Sequence, residues 1–198
     1  MSKKNQITTC TALEWNDAMR LVDHLMVNKK YKFALLALCG FMLGLRISDL
    51  LALTWRTLLG ASEIQIREKK TKKIRRIYVN QKLQELVDTV YQKLKAKNPD
   101  AVELDKPIFM NRFGKSPISI SYVDRMLPIY LNQINVKCER AGSHTFRKSF
   151  GKRLYDAGNQ TEHSLIMLSE LLHHSSVSST RQYIGLNQES FRQAFQAL

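Results

Sequence analysis

The spacing of apolar positions along the chain predicts a mainly helical protein. Residues 11–27 carry apolar side chains at helical spacing, and the first four of them, Thr-Ala-Leu-Glu, form a capping-box pattern. The candidate core positions of this helix are Leu13, Met19, Leu21, Val22 and Leu25. The nearly all-apolar segment 31–45 predicts a buried helix that ends around Gly44, followed by a short helix with Ser48 as its cap.

An alternating pattern replaces the helical one in the segment 62–80. Ile64 and Ile66 precede a run of charges, and Ile77 and Val79 follow it. Alternation at both ends of a charged turn is typical of a two-stranded antiparallel hairpin.

The rest of the chain returns to helical spacing. Pro128 is expected to kink a helix or end its first part, and Gly158 is expected to close another. A turn is expected at Gly114. These helices are predicted over 81–95, 119–135, 143–156 and 161–172, with a short one opening in 178–180 and a tail helix over 188–198. The predicted fold class is therefore mainly α with a small antiparallel β-sheet.

Charge is the strongest compositional signal. The 31 lysines and arginines outnumber 17 acidic residues and give a net charge of +14. Such an excess favours a polyanionic partner, above all nucleic acid, over a merely basic protein or one that touches anionic lipid. The three cysteines are widely spaced, no zinc pattern or signal peptide is present, and the cytoplasm is the expected location.

Two arginine-bearing stretches stand out. In "GLRISDLLAL", Arg46 lies among apolar neighbours and needs a partner, which could be Asp49 or a carbonyl group. In "SHTFRKSFG", His144 and Arg147 are three residues apart at a helix start, where free N–H groups favour anions, although both could simply be exposed.

Two further stretches carry candidate chemistry. "ELLHHSSVSSTRQYIG" holds His174 and, nine residues later, Tyr183; taken alone, neither is more than a packed or polar side chain. The hairpin carries seven basic residues, which could be a solvated face or could contact a phosphate. They are Arg67, Lys69, Lys70, Lys72, Lys73, Arg75 and Arg76.

Taken together and in this order, these stretches resemble the tyrosine recombinases, also called phage-type integrases. The matching sequences are "GLRISDLLAL", "KKTKKIRRIYV", "HTFRKSFG", "LLHHSSVSST" and "RQYIG", and the resemblance covers roughly residues 8–186. It implies that Arg46 and Arg147 hold the scissile phosphate and that Tyr183 is the nucleophile. It further implies that Lys70 is the hairpin lysine and that His144 and His174 are the two histidines of the site.

The sequence departs from the family pattern at two positions. The glycine usual before the second histidine is His173, and the glycine common after "KT" in the hairpin is Lys72. A turn that favours glycine at positive φ must therefore accept a side chain at Lys72, and Lys72 and Lys73 compete with Lys70 for the role of the hairpin lysine. The other basic residues of the hairpin are expected to bind DNA.

The resemblance implies a site-specific recombinase that cleaves and rejoins duplex DNA through a covalent 3′-phosphotyrosine, with no metal and no cofactor. Integration, excision or inversion of a mobile element, within a tetrameric synapse in a prokaryotic nucleoid, would be its task. A type IB topoisomerase and a DNA-binding regulator without activity are the alternatives. We expect an N-terminal segment (1–10), a catalytic domain (11–186) and a tail helix (187–198), without a core-binding domain. The tail could dock onto a neighbouring protomer or fold back on its own domain.

Overall fold

The computed structural model describes residues 10–99, 102–174, 176–186 and 195–196. Within them the chain forms helices and one two-stranded sheet, as the sequence predicts. Residues 1–9 of the predicted N-terminal segment (1–10) and nearly all of the tail helix lie outside the described residues. The elements are α1 (Trp15–Val27), α2 (Tyr31–Leu43), α3 (Ile47–Leu50), α4 (Trp55–Leu58), β1 (Glu63–Arg67), β2 (Ile74–Tyr78), α5 (Gln81–Lys97), α6 (Ile120–Gln133), α7 (Ser143–Ala157), α8 (Glu162–Leu171) and α9 (Val177–Ile184).

Helix α2 is the centre of the core because almost every residue along it is apolar and buried. Helices α1, α5 and α7 pack around it. At Gly40 the approach of α7 is so close that a Cβ atom would lie 2.6 Å from the Cβ of Phe146. The helix ends at Gly44, whose φ of 56° is the left-handed conformation expected for a glycine cap.

The hairpin forms where the alternation predicts it. Strands β1 and β2 pair antiparallel with Ile64 opposite Ile77, and both of these side chains are buried. The turn between the strands is held by the Lys72 N–H, which donates to the carbonyl of Glu68 at 2.9 Å. Lys72 has a φ of 59°, so the turn does take the conformation that favours glycine.

The start of α1 differs from the predicted capping box. The helix begins at Trp15 with Glu14 as its N-cap, and no side chain caps it. The preceding residues are extended because tertiary hydrogen bonds hold their backbone: Thr11 N–H donates to the Arg140 carbonyl at 3.1 Å, and Leu13 N–H to Ser149 Oγ at 2.8 Å.

Three local predictions near helix ends were wrong or incomplete. Ser48 lies inside α3, whose N-cap is Arg46, and no side chain caps that helix. Pro128 lies within α6 without ending it. Helix α9 starts earlier than expected, because the Ser176 hydroxyl accepts a hydrogen bond from Ser179 N–H and serves as the cap.

The last two helices form a small cluster of their own against α7. Phe150, Leu168 and Leu172 are its buried centre, and Tyr183 and Ile184 of α9 pack against them. The helix that carries the candidate nucleophile is thus attached through few apolar side chains, next to the main core. None of the helices in the described part of the chain is long and apolar enough to cross a membrane.

Candidate active site

The two arginines that the sequence singled out meet at one buried carboxylate. Arg46 Nη1 donates to Glu68 Oε2 at 2.6 Å, and Arg147 Nη1 lies 3.9 Å from Glu68 Oε1. Arg46 is at the turn between α2 and α3, Arg147 is on α7, and Glu68 follows β1. The alternative partner of Arg46, Asp49, is instead buried with its Oδ1 accepting from Lys69 N–H at 3.0 Å.

Arg147 is fixed by the backbone of two turns. Its Nη1 donates to the Gly44 carbonyl at 2.8 Å and its Nη2 to the Leu172 carbonyl at 2.7 Å. One guanidinium therefore ties the end of α2, which leads to Arg46, to the end of α8, which leads to the two histidines. Burial lowers the pKa of Arg147, as does the charge of Arg46, yet the group stays protonated because its ordinary pKa lies so high.

Glu68 is fully buried and ionised. Burial alone would raise its pKa, but hydrogen bonds from Thr71, Arg46 and His173 outweigh that effect and lower the pKa to about 2. Thr71 Oγ1 donates to Oε2 at 2.7 Å, and His173 Nδ1 lies 3.3 Å from the same oxygen. The carboxylate thus supplies a negative charge beneath the arginine pair at neutral pH.

His174 and Tyr183 lie side by side at the other end of this cluster. Their ring centroids are 5.0 Å apart with an interplanar angle of 73°. His174 Nδ1 is 2.8 Å from the Thr180 hydroxyl, which also donates to the Ser176 carbonyl at 3.4 Å. Because the Thr180 hydroxyl donates its proton to the Ser176 carbonyl, it accepts a hydrogen bond from Nδ1–H of His174. The other ring nitrogen of His174, Nε2, is then the acceptor nitrogen.

Burial shifts both of these side chains toward their neutral forms. It is the largest cause that lowers the pKa of His174 to about 4, with the charges of Arg147 and Arg46 adding to it. Burial also raises the pKa of Tyr183 to about 12, against the opposing charges of the same two arginines. The Tyr183 hydroxyl is buried and has no hydrogen-bond partner among the described residues. The free protein therefore holds a neutral phenol beside a neutral imidazole.

His144 and Lys70 lie on the open side of the site. His144 is in the first turn of α7, and Lys70 is exposed in the hairpin turn. Partial loss of solvent lowers the pKa of His144, and the charges of Lys148, Arg147 and Lys70 lower it further. Lys70 is therefore close to this histidine. The first N–H of α7, that of Ser143, donates to Asp124 Oδ1 at 2.6 Å, so a protein carboxylate already occupies this helix start.

The basic hairpin divides into an exposed set and one buried member. Arg75 is buried, and its guanidinium donates to the carbonyls of Leu43 at 2.9 Å and Gly44 at 3.1 Å. Burial and the charge of Arg147 lower its pKa to about 10. Arg75, which was expected to bind DNA with the others, instead points into the protein, because β2 alternates and Arg75 is on its inner face. The exposed members are Arg67, Lys69, Lys70, Lys72, Lys73 and Arg76.

The sequence reasoning missed Glu68, Thr71 and Thr180, which hold the buried groups of the site. A signal existed for Glu68, which is the sole acidic residue between Arg67 and Arg76. Thr71 and Thr180 gave none, since their hydroxyls become informative only when folding brings Glu68 and His174 to them. Lys148 was also missed; it is buried, and its Nζ lies 5.6 Å from the centre of the Tyr183 ring.

A large groove lies at the opposite end of α2 from Gly44. Its volume is about 1120 Å³, and no carboxylate is among the described residues that line it. The cations that line the groove are Lys29, Lys30, Lys32, Lys93, Lys97, Arg112 and Arg125. Aromatic rings lie between them, including Tyr31, Phe113 and Tyr122. Across the part of the chain that the structure describes, no cluster of three or more His, Cys, Asp or Glu could hold a metal ion.

Comparison with known proteins places this site in a family. The Phage integrase family matches residues 11–190. A Bacillus subtilis (strain 168) protein named "Probable integrase/recombinase YoeC" is 31% identical over 176 residues, which are 88% of this chain and 88% of that protein. "Tyrosine recombinase XerH" of Campylobacter jejuni is 26% identical over 109 residues, covering 55% of this chain and 29% of XerH.

Solved structures show the same fold. The crystal structure of XerA recombinase superposes with a TM-score of 0.69 at 18% identity, covering 94% of this chain and 64% of that one. XerH bound to difH substrate in a pre-cleavage complex gives a TM-score of 0.69 at 19% identity, with 98% and 56% covered. This chain thus spans between half and two thirds of the length of those structures. With the match to the family over residues 11–190 and the 31% identity to the Bacillus relative, the chain belongs to the phage integrase family of tyrosine-type site-specific recombinases.

Proposed function

We propose that this chain cleaves and rejoins duplex DNA with Tyr183 as the nucleophile and Arg46 and Arg147 as the groups that bind the scissile phosphate. The observation that carries the proposal is the convergence of both guanidiniums on Glu68, beside a buried phenol whose pKa the charges of the same two arginines lower. Guanidinium groups match the non-bridging oxygens of a phosphate and stabilise the charge that grows on them, at about 3 kcal/mol per donor.

The proposed reaction is a transesterification, in which one phosphate ester bond forms as another breaks. The oxygen of Tyr183 attacks the phosphorus, a Tyr–O–P bond forms, and the P–O5′ bond breaks. The 3′ end stays attached to the protein, and the 5′ oxygen leaves as a hydroxyl after taking a proton from Lys70. Rejoining reverses these steps with a 5′ hydroxyl as the attacking group, so no external energy source is consumed.

The proton of the phenol needs an acceptor, and His174 Nε2 is the nitrogen left available beside the Tyr183 ring. Its low pKa makes it a weak base in the free protein. A bound phosphate offsets the charges of Arg147 and Arg46, which contribute to that low pKa, and so raises the basicity of His174 when DNA is present. His144, on the open side near Lys70, is positioned to hydrogen-bond the phosphate.

Two basic surfaces are proposed to hold the duplex. The exposed hairpin residues Arg67, Lys69, Lys72, Lys73 and Arg76 flank Lys70 and contact phosphates on one side of the cleaved bond. The groove at the start of α2 has seven cations and no described acidic neighbour, which favours a flanking stretch of DNA backbone there. Helix α2, with 13 residues, separates the groove from the Gly44 turn by about 20 Å, roughly six base pairs of DNA.

We infer further that strand exchange takes place between two duplexes held by four copies of the chain, and that the protein works in the cytoplasm at the bacterial nucleoid. Exchange of both strands at two sites needs four tyrosines, and each copy supplies one. Integration, excision and inversion share this chemistry and differ in how the two sites are arranged.

The test is capture of the covalent intermediate. Nicked suicide duplexes with random-sequence arms are incubated with the protein, and adducts that resist denaturant are isolated and sequenced. A nick close to the cleaved bond lets a short strand diffuse away, so the adduct cannot be reversed. We expect the wild-type protein to enrich one family of sequences and Tyr183→Phe to yield no adduct while binding the enriched duplex as tightly.

Tyr155→Phe is the matched control, because Tyr155 is a neighbouring tyrosine of the same cluster whose hydroxyl donates only to the Gln160 carbonyl at 2.8 Å. It should form the adduct as wild type does. A Tyr183→Phe protein that still forms the adduct at the wild-type rate would overturn the proposal. Exchange between two selected duplexes, without relaxation of plasmids that lack the site, then separates recombinase from topoisomerase.

A further inference from the structure

Glu68 joins four separate parts of the chain beneath the site. It is fully buried, and its Oε2 contacts Arg46 at 2.6 Å, Thr71 at 2.7 Å and His173 at 3.3 Å. Its Oε1 faces Arg147 at 3.9 Å and has no hydrogen-bond partner among the described residues. The turn after α2, the hairpin turn, helix α7 and the turn after α8 therefore share one carboxylate.

His173 makes its contact from an unfavourable backbone conformation. Its φ is 52°, in the left-handed region where a β-carbon is strained and glycine is not. It is also the position at which the sequence departs from the family's glycine. His173 therefore keeps a strained backbone and makes a contact with the Glu68 carboxylate that a glycine could not make.

We propose that the contact between Glu68 and His173, here called the Glu68–His173 latch, is a positioning device that sets the turn before α9 relative to the arginine pair. The inference rests on the proposed function. His173 precedes His174, which is held to Thr180 of α9 at 2.8 Å, and α9 carries Tyr183. The latch thus links the hairpin turn that carries Lys70 to the helix that carries the nucleophile.

The small apolar cluster under α9 explains why such a device is useful. Tyr183 and Ile184 attach α9 through few buried side chains, so its packing alone defines the position of the phenol poorly. A displacement of about 1 Å at a reacting atom can reduce a rate by roughly a hundredfold. Both latch residues act through others, and neither is proposed to touch DNA.

The experiment uses His173→Gly, Glu68→Gln and the double variant, with the enriched suicide duplex as substrate. His173→Gly removes strain as well as the contact, so its melting temperature should equal or exceed that of wild type. Its rate of adduct formation should fall about tenfold, with duplex binding unchanged. Glu68→Gln should be slower still, and the double variant should be no slower than Glu68→Gln, because His173 has then already lost its ionised partner.

Asn159→Gly is the matched control. Asn159 also has a left-handed backbone, with a φ of 54°, and lies in the turn between α7 and α8. Its replacement relieves the same kind of strain and should leave the rate unchanged. A His173→Gly protein that cleaves as fast as wild type would overturn the latch, as would rate losses that multiply in the double variant.

Failure of the proposed function can be told apart from failure of the latch. If wild type forms no adduct, the chemistry is refuted, and the latch is then judged from urea unfolding of the same four proteins. Changes in unfolding midpoint that add for the two single variants show that the residues are uncoupled and refute the latch as well. A change in the double variant that differs from the sum of the two single changes supports it.

Discussion

Three guanidiniums and two carboxylates share the interior beneath the candidate site. The three guanidiniums, of Arg46, Arg75 and Arg147, are close enough for their positive charges to repel one another. The negative charges of Asp49 and Glu68 offset part of this repulsion. A net positive charge remains at the surface of this cluster, where a phosphate would bind. The sequence indicated Arg46 and Arg147 through their motifs. It could not indicate that Arg75 belongs to the interior, because seven neighbouring basic residues look alike until strand alternation orients them.

The buried position of Arg75 predicts a stability effect. Arg75→Gln removes donors from the carbonyls of Leu43 and Gly44 and should cost about 1–3 kcal/mol of unfolding free energy, measured by urea denaturation. Arg76→Gln, on the adjacent exposed position, loses only a surface ion pair with Glu63 and should cost less than about 1 kcal/mol. Equal losses for the two variants would contradict the inward orientation of Arg75.

The low pKa of His174 predicts a loss of stability in mild acid. An unfolded histidine takes up its proton near pH 6.5, whereas the folded one does so near pH 4. Between these values the unfolded chain binds more protons, so stability falls as pH is lowered from about 6.5 to about 4. Glu68 adds to this loss only in the lower part of the window, below about pH 5, since its folded pKa is about 2 and its unfolded pKa is near 4.5.

Thermal melting at pH 7 and pH 5 checks this expectation. The melting temperature of wild type should drop by several degrees between the two values, and that of His174→Asn should drop by less. His144 acts in the same direction, because its pKa is also lowered, and therefore leaves a residual drop in the variant. An identical drop in both proteins would show that His174 is not buried as a neutral group.

At the scale of elements, the contact between α2 and α7 places Arg46 and Arg147 at the same end of the molecule. The apolar pattern and the glycines that follow it predicted both helices to within a residue or two at their ends. It did not predict their close approach at Gly40, because a glycine in an apolar helix gives no sign of its neighbour. The predicted start of α1 was wrong for a similar reason. The N–H groups of Thr11 and Leu13 donate to distant parts of the chain, and these tertiary hydrogen bonds prevailed over the local capping pattern.

Gly40→Ala tests this helix contact. The added Cβ would lie 2.6 Å from the Cβ of Phe146, an atom that cannot move without the α7 backbone, so the substitution should cost about 1–3 kcal/mol. Gly151→Ala in α7 is the matched helical control. Its Cβ would meet a methyl group of Ile184 at 3.0 Å, on the weakly attached α9, which can shift. Calorimetry should show a clearly larger loss for Gly40→Ala, and the reverse order would contradict the packing.

At the scale of the whole molecule, charge is distributed unevenly. The exposed hairpin and the groove at the start of α2 concentrate cations, while the interior pairs its arginines with carboxylates. The net charge predicted a polyanionic partner, and the spacing of apolar positions predicted the fold class. The sequence could not reveal the groove, because its lining comes from segments that are more than 90 residues apart.

The salt dependence of DNA binding measures these surfaces. Replacement of Lys73 by Gln on the exposed hairpin should weaken binding similarly for all duplex sequences and lower the slope of log K against log salt by about 1. Lys97→Gln should do the same if flanking DNA occupies the groove, and only on duplexes long enough to reach it. An unchanged slope for Lys97→Gln on long duplexes would exclude the groove from the DNA-binding surface.

The most direct measurement of the central claim is the chemical identity of the covalent link. The adduct from a suicide duplex labelled in the strand that lies 5′ of the cleaved bond is digested with protease and nuclease, and the remaining nucleotide-bearing peptide is identified by mass spectrometry. The account predicts one peptide, which contains Tyr183 joined through phosphate to a 3′ nucleotide. A nucleotide attached to any other residue, or through a 5′ phosphate, would contradict it.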